Sequence, residues 1–398
     1  MKTQKIVLSV VVIATALFSS LYADEISDAE KAELAKQEAF RSGFTAIVGD
    51  LNNGLFDSFV QAVDRRALID QIYGLRLIDQ KVKKQFDERL AYTYDNMIKS
   101  GFANLMNKEE RLEATLLGIE SRGNLGRAVV RYDLPNFQFG YHEFDLRLDE
   151  KNRVAVLDWT DFYSGMKFSE TIGRSLVMSA PSKPAMRKLL DFQNVSDREL
   201  FQFGELLKAA RDRKLDRYLE IRDGLEPRFQ RQRIVVESSV QIARKARKRR
   251  QMIAALAIMA EHYPAEPLYS LMLLDYYFPT RKYEEALRAL QALSDRLAVK
   301  DAAMEARLSA AALVMGNAPD AVAYANAALE LEPGLELAWW SALNARATSS
   351  DFAGSVEALQ HLEAEFGHKL GSEALQKNPG FAPLLASDEF RTWLETRQ

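Results

Sequence analysis

The sequence predicts an α+β N-terminal domain, with helices and a four-stranded antiparallel sheet, followed by an all-α superhelix of helical repeats. Three observations support this fold class. The hydrophobic pattern changes from a helical period to strict alternation within residues 24–178. A segment rich in Pro and Ser, residues 179–185, then indicates a domain boundary. Beyond it the chain is helical in pattern and contains a spacing of about 34 residues.

Residues 1–23 have the pattern of a secretory signal peptide. The basic segment MKTQK precedes an apolar run from Ile6 to Phe18, and small residues end at Ala23. This run is shorter than the ~20 residues that a membrane-spanning helix needs. We therefore expect a periplasmic or secreted bacterial protein, with cleavage near Ala23 and no transmembrane span afterwards; an uncleaved N-terminal anchor is the alternative. The absence of cysteine suits an oxidising compartment.

Two helices are expected before the sheet. Ser27 and Glu30 form a capping-box signature ahead of the first helix, which Asn53 and the glycine after it end. The second helix covers about residues 77–106, because apolar side chains recur there at four-residue steps. Both helices belong to the predicted α+β domain.

Four short segments then alternate between apolar and polar residues and are rich in β-branched and aromatic side chains. They cover residues 111–121, 126–134, 139–148 and 153–163. The sequences RGN, PN and DEKN between them are typical of turns. An antiparallel meander is therefore expected. A helix with Ser169 as its N-cap closes the domain near Met178.

The repeated spacing lies in the last third of the chain. The segments KYEEALRALQAL, APDAVAYANAALELEPG and DFAGSVEALQHLEAEFG place three small side chains, Ala286, Ala321 and Ser355, at equivalent points of this repeat. The pattern resembles the tetratricopeptide repeat, in which two antiparallel helices pack closely around small residues. Ala328 and Pro333 match that motif, and Trp339 stands at its aromatic position, whereas Ser355 replaces the usual alanine.

The resemblance implies three repeats within residues 266–368. Helical hairpins over residues 186–265 would precede them, and an amphipathic helical cap over residues 369–398 would cover the last repeat. Repeats of this type line a groove with their first helices, so the resemblance implies a module that binds another protein or peptide.

The N-terminal domain resembles the cone of the nuclear-transport-factor-2-like fold, since helices precede a curved sheet. Residues 156–172 are also similar to periplasmic phospholipid-carrier domains. These resemblances imply a carrier of an apolar ligand or lipid, held in the cone beside His142, Phe144 and Asp158, as the alternative function.

A catalytic pair is a third possibility. If the turn DEKN is a three-residue hairpin loop with Asn152 left-handed, Asp149 pairs with Arg153, and Asp158 then comes to the face of His142. A loop of even length would slip the register by one residue and remove this pairing. A carboxylate beside an imidazole could act as a general base in a hydrolase or lyase, or form only a satisfied buried pair.

The expected groove of the repeats supplies candidate partner-binding residues. They are Trp340, Asn344 and Leu337 in the last repeat and Leu313 in the repeat before it. A tryptophan in a groove of small residues is a typical anchor for a bound peptide. Alternatively, Trp340 packs against the C-terminal cap as a core residue.

A basic run lies in the middle of the chain, where six of the seven residues from Arg244 to Arg250 are Lys or Arg. On one continuous helix it would form a face that is either plainly solvated or paired with acids of the preceding helices, such as Glu199, Glu205, Asp212, Asp216 and Glu220. The alternative is an anionic partner, for which the candidate residues are Arg244, Arg247, Lys248 and Arg250. Nucleic acid is disfavoured, because the signal peptide exports the chain and no aromatic residues interleave the run.

Several function classes lack their motifs. The four histidines are scattered and no acidic cluster has metal-site spacing, so we expect no metal. There is no phosphate-binding glycine loop, dinucleotide fingerprint or nucleophile elbow, so no cofactor is expected and enzymatic activity stays open. The sequence favours an exported module that binds another protein through its repeats, with ligand carriage and His142–Asp158 chemistry as alternatives.

Overall fold

The structure is a computed structural model that describes residues 27–396, except residues 79, 104, 107–111, 180, 191–193 and 265. The predicted signal peptide, residues 1–23, lies outside the described residues. An α+β region comes first and a stacked array of helix pairs follows, which confirms the predicted fold class. None of the helices that the structure describes is long and apolar enough to cross a membrane.

Four helices precede the sheet in the described residues. Helix α1 (Asp28–Asn52) has the predicted capping box, because the Glu30 N–H donates to Ser27 Oγ and the Ser27 N–H donates to the Glu30 carboxylate. Helices α2 (Phe56–Ala62) and α3 (Arg65–Gly74) are short and were not predicted. Helix α4 (Gln80–Ser100) corresponds to the predicted long helix.

The sheet is an antiparallel meander in sequence order. Its long strands are β1 (Ala114–Arg122), β2 (Leu125–Leu134), β3 (Gln138–Leu148) and β4 (Val154–Asp161). A fifth strand, β5 (Met166–Lys167), pairs with β4, so the prediction of four strands was one short. Helix α5 (Phe168–Ser179) follows directly. The prediction that Ser169 is its N-cap was wrong, because the helix begins at Phe168 and Ser169 lies in its first turn.

One face of the sheet packs against the N-terminal helices around a cluster of aromatic rings, which comprises Phe44, Phe59, Phe102, Phe144 and Trp159. The ring centroids of Phe59 and Phe102 are 4.9 Å apart, and those of Phe44 and Phe144 are 5.1 Å apart. Gly101 at the end of α4 lets the chain approach this cluster, because a Cβ there would lie 2.7 Å from the Trp159 ring. The space between the sheet and the N-terminal helices is therefore a packed core.

Helix α6 (Lys183–Leu190) begins shortly after α5 ends, so the predicted linker of residues 179–185 overlaps helix at both of its ends. Five helix pairs follow in the described residues. They are α7 (Asp197–Arg211) with α8 (Leu215–Asp223), α10 (Arg233–Lys245) with α11 (Arg249–His262), α12 (Ser270–Tyr277) with α13 (Tyr283–Leu297), α14 (Ala302–Val314) with α15 (Ala318–Leu331), and α16 (Glu336–Thr348) with α17 (Phe352–Phe366). A short helix, α9 (Pro227–Gln230), separates the first two pairs.

The same turn joins the two helices of every pair. One residue of each turn is left-handed, and these residues follow the repeat spacing along the chain: Arg213, Arg247, Arg281, Gly316 and Ser350. In all five turns the N–H of the next residue donates to the carbonyl five residues earlier over 2.9 Å. This is the Schellman arrangement at a helix C-terminus. The structural repeat therefore extends back through the segment that was predicted only as helical hairpins.

The first two pairs lack the small residue of the repeat pattern for a steric reason. Ala286, Ala321 and Ser355 are fully buried where the two helices of their pairs meet. The equivalent positions of the first two pairs carry larger residues, Tyr218 and Met252. Tyr218 occupies its site by donating its hydroxyl to the Val235 carbonyl over 2.8 Å. Larger side chains fill the same structural position, so the small-residue pattern fails there.

The C-terminal segment covers the last helix pair. It contains α18 (Ser372–Leu375), α19 (Ala382–Leu385) and α20 (Asp388–Glu395). Phe390 and Trp393 of α20 belong to the same buried cluster as Leu359 of α17. The amphipathic pattern of this segment therefore reflects its packing against the helix pairs.

Candidate binding surfaces

The β3–β4 hairpin decides whether His142 and Asp158 meet. Its turn is the predicted one, since Asn152 is left-handed and the Asp149 N–H donates to the Arg153 carbonyl over 2.9 Å. The register shifts farther along, however, because Leu146 pairs with Val156 while the preceding residue of β3 pairs with Asp158. A β-bulge thus inserts one extra residue into β4 between the turn and the predicted pair.

The bulge places His142 and Asp158 on opposite faces of the sheet, so the predicted catalytic pair is wrong. His142 pairs with Asp161 instead. The Asp158 carboxylate is buried and accepts hydrogen bonds from the Ser169 hydroxyl at 2.6 Å, the Ser169 N–H at 3.1 Å and the Trp159 N–H at 2.9 Å. Burial raises the pKa of Asp158 above its ordinary value. Asp158 anchors the start of α5 and does not orient an imidazole.

His142 lies inside the aromatic core. It is 1% exposed, and its ring packs against Tyr132 and Phe102 at centroid distances of 4.8 and 5.3 Å. Its Nε2 is 3.9 Å from Asp161 Oδ1, and within the described chain neither ring nitrogen has a hydrogen-bond partner. Burial lowers the pKa of His142 to about 4, so the imidazole is neutral at pH 7. A substrate could reach this ring only if the core opened.

The carrier hypothesis placed its ligand beside His142 and Phe144, where the structure has packed aromatic rings. A cleft of about 470 Å³ lies instead between α5 and α10, and we call it the junction cleft. The stacked rings of Trp159 and Phe168, 4.0 Å apart, are part of its lining. Its walls include Thr171, Ser175 and Met178 of α5 and Ile234, Ser238, Gln241 and Lys245 of α10, and Arg213 also lines it.

The other face of the sheet packs against the helix pairs. Val129, Phe139 and Tyr141 of the strands form one buried cluster with residues of α12, α13 and α14. The residues from the helices are Leu271, Leu290, Leu293, Leu297, Ala303, Met304, Leu308 and Ala311. The sheet therefore occupies the first helices of the third and fourth pairs, which the repeat resemblance assigned to a partner.

A buried charge network holds this contact. The Arg131 guanidinium is fully buried and lies 2.5 Å from Asp301, 2.9 Å from Glu332 and 2.9 Å from Asp133. The Tyr141 hydroxyl donates to the second oxygen of Asp301 over 2.5 Å. Three carboxylates surround one arginine, so every hydrogen-bonding edge of the guanidinium is used.

A second network lies along the same contact. Glu143 of β3 accepts from Arg127 of β2 over 2.7 Å and from Arg296 of α13 over 2.7 and 2.8 Å. The two arginines together lower the pKa of Glu143, although its burial opposes them. Apolar packing and both sets of charged contacts thus join the sheet to the helix pairs, and an ion pair between Arg174 of α5 and Glu237 of α10 adds to them.

All four predicted partner-binding residues are half-buried. Leu337 packs against the cluster that contains the sheet face, and Leu313 packs against the small residues of the fourth and fifth pairs. The Trp340 indole donates to Glu336 over 3.0 Å, and its ring lies 5.2 Å from that of His368. The partly buried Trp340 ring packs against the edge of the cluster that the fifth pair forms with the C-terminal segment.

The basic run has a different setting from the predicted one. Helix α10 ends at Lys245 and α11 begins at Arg249, so the run forms the turn of the second pair and is not one face of a continuous helix. Residues 245–250 are all exposed. Arg244 is half-buried, lies 3.2 Å from Asp275 and stacks 4.3 Å from the ring centroid of Tyr163.

Four of the five acids that were expected to neutralise the run pair with other cations, and Asp216 forms no ion pair with the run in the described residues. Glu199 pairs with Arg228, Glu205 with Lys208, Asp212 with Arg211, and Glu220 with Arg217. Among the residues that the structure describes, no ion pair involves Lys245, Arg247, Lys248, Arg249 or Arg250. Of the two expectations, interhelical pairing is therefore absent for these five cations, whereas their exposed side chains agree with plain solvation.

Two unpredicted features of the structure have a signal in the sequence. Strand β2 contains the uninterrupted apolar run Ala128–Val129–Val130, all of it buried, and a run without alternation indicates a strand covered on both faces. The dipeptide Arg–Lys also recurs with the repeat, beginning at positions 213, 247 and 281. No group of three His, Asp or Glu side chains in the described residues is arranged to hold a metal ion.

No family model matches this chain, and no curated protein matches it. Among solved structures the chain is similar to one described as "TPR2AB-domain:pHSP90-complex of yeast Sti1", at 15% sequence identity and a TM-score of 0.25. The match covers 55% of this chain and 94% of that chain. The repeat architecture is shown by the five equivalent turns of the chain itself.

Proposed function

We propose that this chain is an exported interaction module that binds a partner protein or peptide on its helix pairs. The observation that carries the proposal is the packing of a folded sheet against α12, α13 and α14, which uses the same face that would receive a partner. The fifth pair lies beyond this contact. There the side chains of Trp340 and Asn344 are only half-buried. Within the part of the chain that the structure describes, their hydrogen bonds link them to other residues of α16.

The fifth pair offers a small mixed surface. The Trp340 ring supplies apolar area, and Glu336 and His368 beside it supply charge and hydrogen-bonding groups 2.6 Å apart. An aromatic anchor with polar groups around it is typical of a binding hot spot. A peptide segment with one apolar side chain and flanking polar groups fits this chemistry.

Capture of partners from the periplasmic fraction of the source cells tests the proposal. Asn344→Arg places a long cation on the proposed surface and removes only a hydrogen bond to the Trp340 carbonyl, so it should abolish capture while the melting temperature stays unchanged. Leu331→Ala, which alters an exposed side chain on α15, is the matched control and should capture normally. Equal capture by both variants would place the partner elsewhere.

Trp340→Ala separates binding from packing. If Trp340 serves the partner, capture falls and stability changes little. A fall in stability of several kcal/mol would make Trp340 part of the core with the C-terminal segment instead, since truncating a buried tryptophan costs about 3–5 kcal/mol.

The export component has its own test. Cell fractionation of the expressed full chain should place the protein outside the cytoplasm, and N-terminal sequencing should begin at Asp24. A protein that retains the whole predicted signal segment and stays in the membrane fraction would support the uncleaved anchor.

Ligand carriage is a second candidate, because the junction cleft has a volume within the range of small-molecule sites. Its lining combines the Trp159–Phe168 stack with the cations Lys245 and Arg213, which suits an amphiphile with an anionic head. Native mass spectrometry after mild extraction should find such a molecule bound. Ser175→Trp, which fills the cleft from the exposed side of α5, should remove it, whereas an empty cleft in the unaltered chain would end this proposal.

A further inference from the structure

The left-handed residue of the first three inter-helix turns is in each case an arginine followed by a lysine. The pairs are Arg213–Lys214, Arg247–Lys248 and Arg281–Lys282. All three turns have the same backbone hydrogen bonds, so the side chains leave the chain at equivalent points. The sequence alone shows a spacing, whereas the structure shows that the spacing corresponds to one position of a repeated turn.

The turns lie on the same edge of the array. Arg213 of the first turn and Lys245, the last residue of α10 before the second turn, line the same junction cleft. Arg244 just before the second turn pairs with Asp275, which lies near the end of α12 just before the third. Packed helices are about 8–10 Å apart. The three turns therefore form a row, which we call the basic edge.

Most cations of the basic edge are unpaired. Its members are Arg211, Arg213, Lys214, Lys245, Arg247, Lys248, Arg249, Arg250, Arg281 and Lys282. Arg211 pairs with Asp212, and Lys282 lies 5.1 Å from the ring centroid of Tyr276. The other members have no ion pair with any acid that the structure describes. Like charges crowded in this way raise the local potential and favour an anionic counterpart.

The backbone gives no reason for arginine in these turns. An L side chain is disfavoured in the left-handed region, and glycine is the usual residue at this position of a Schellman turn. The fourth turn has that residue, Gly316. Three non-glycine residues of the same kind in succession indicate that the side chain is kept for what it contacts outside the fold.

The fourth turn adds an apolar element to the same edge. Val314 and Met315, immediately before Gly316, are 50% and 40% exposed. A row of cations next to exposed apolar side chains is typical of surfaces that bind anionic lipid, in which cations meet the headgroups and apolar groups enter the interface. A single-stranded nucleic acid would require stacking aromatics, and the three basic turns carry no strongly exposed aromatic residue.

We propose that the basic edge binds the surface of an anionic phospholipid membrane, with Val314 and Met315 at the headgroup boundary. The helix pairs then lie edge-on to the bilayer. This inference does not depend on the proposed protein partner, since the Trp340 surface belongs to the fifth pair and the basic edge belongs to the first three.

Vesicle co-sedimentation of the whole chain tests the proposal. The probes are vesicles of phosphatidylcholine alone and vesicles in which about a third of the lipid is phosphatidylglycerol. The chain should bind the anionic vesicles at low salt, release them at high salt and ignore the neutral ones. Equal binding to both lipids, or none to either, overturns the proposal.

Charge reversal locates the site. Arg247→Glu with Lys248→Glu should weaken binding to anionic vesicles by about tenfold or more. The matched control is Lys369→Glu with Lys377→Glu, which makes the same change in net charge on exposed residues of the C-terminal segment and should alter binding by less than about twofold. Equal losses in the two double variants would show a net-charge effect and overturn the proposed site.

A second variant removes the charges without disturbing the turns. Arg213→Gly with Arg247→Gly and Arg281→Gly keeps residues that favour the left-handed conformation. It should fold normally, show the same melting temperature or a higher one, and still lose vesicle binding. Full binding by this variant overturns the proposal even if the reversal variant fails to fold.

Discussion

Arg131 of β2 and Asp301 at the start of α14 form a buried ion pair across the contact between the sheet and the helix pairs. Their closest atoms, Nη1 and Oδ1, are 2.5 Å apart, and the two residues are 0% and 4% exposed. Asp301 also caps α14 by accepting from the Met304 N–H over 3.1 Å. The position of the sheet is therefore linked to the first turn of a repeat helix.

Arg131→Met should lower the free energy of unfolding by about 3–5 kcal/mol, because it leaves Asp301, Glu332 and Asp133 without their shared cation. Chemical denaturation measures the change. Arg153→Ala, which breaks an exposed pair with Asp149, should cost less than about 1 kcal/mol and serves as the control. Similar small losses for both variants would contradict a structural role for Arg131.

His142 should make the fold sensitive to mild acid. Its pKa in the folded chain is lowered by burial to about 4, below the ordinary value of 6.5. The unfolded chain therefore takes up the proton first, and stability is fully present above pH 6.5 and lost as the pH falls towards 4. The loss amounts to about 3 kcal/mol at most.

His142→Phe should remove this part of the pH dependence, because phenylalanine keeps the contacts with Tyr132 and Phe102 without a titrating group. Thermal melts at pH 8 and pH 5 test it. The variant should lose less stability between the two values than the unaltered chain. An identical pH dependence in both would assign the effect to other groups.

Ser169→Ala should destabilise the α+β region by about 1–3 kcal/mol, since the buried Asp158 carboxylate loses its hydroxyl donor. Ser175→Ala, which removes an exposed hydroxyl on the same helix, should be nearly neutral. Chemical denaturation compares the two. Neutral behaviour of both would mean that the backbone donors from Ser169 and Trp159 satisfy Asp158 without the hydroxyl.

Arg247→Gly alone should leave the free energy of unfolding unchanged or raise it by about 1 kcal/mol, because glycine adopts the left-handed conformation of this turn without steric cost. Thermal melts of the single variant measure the effect. Ser350→Gly in the fifth turn is the matched control and should behave alike. A clear loss of stability only at Arg247 would show that the fold itself uses this arginine.

Local patterns in the sequence predicted much of this structure. The capping box at Ser27, the left-handed Asn152 in the β3–β4 turn, and the small residues Ala286 and Ala321 inside their helix pairs are all as expected. Each depends on a few neighbouring residues or on one regular period, so the amino-acid sequence alone determines it. The fold class follows from the same kind of pattern, since alternation and helical period are properties of single segments.

Tertiary packing decided the sites. The bulge in β4 turned Asp158 away from His142, and the sheet covers the face of the helix pairs that a partner was expected to use. Four of the five acids expected to neutralise the basic run pair with other cations. Each outcome depends on which distant surfaces meet and on how their polar groups are satisfied there. No local period contains that information, so the sequence determined the repeats, and only the folded chain determined which of their surfaces remained free.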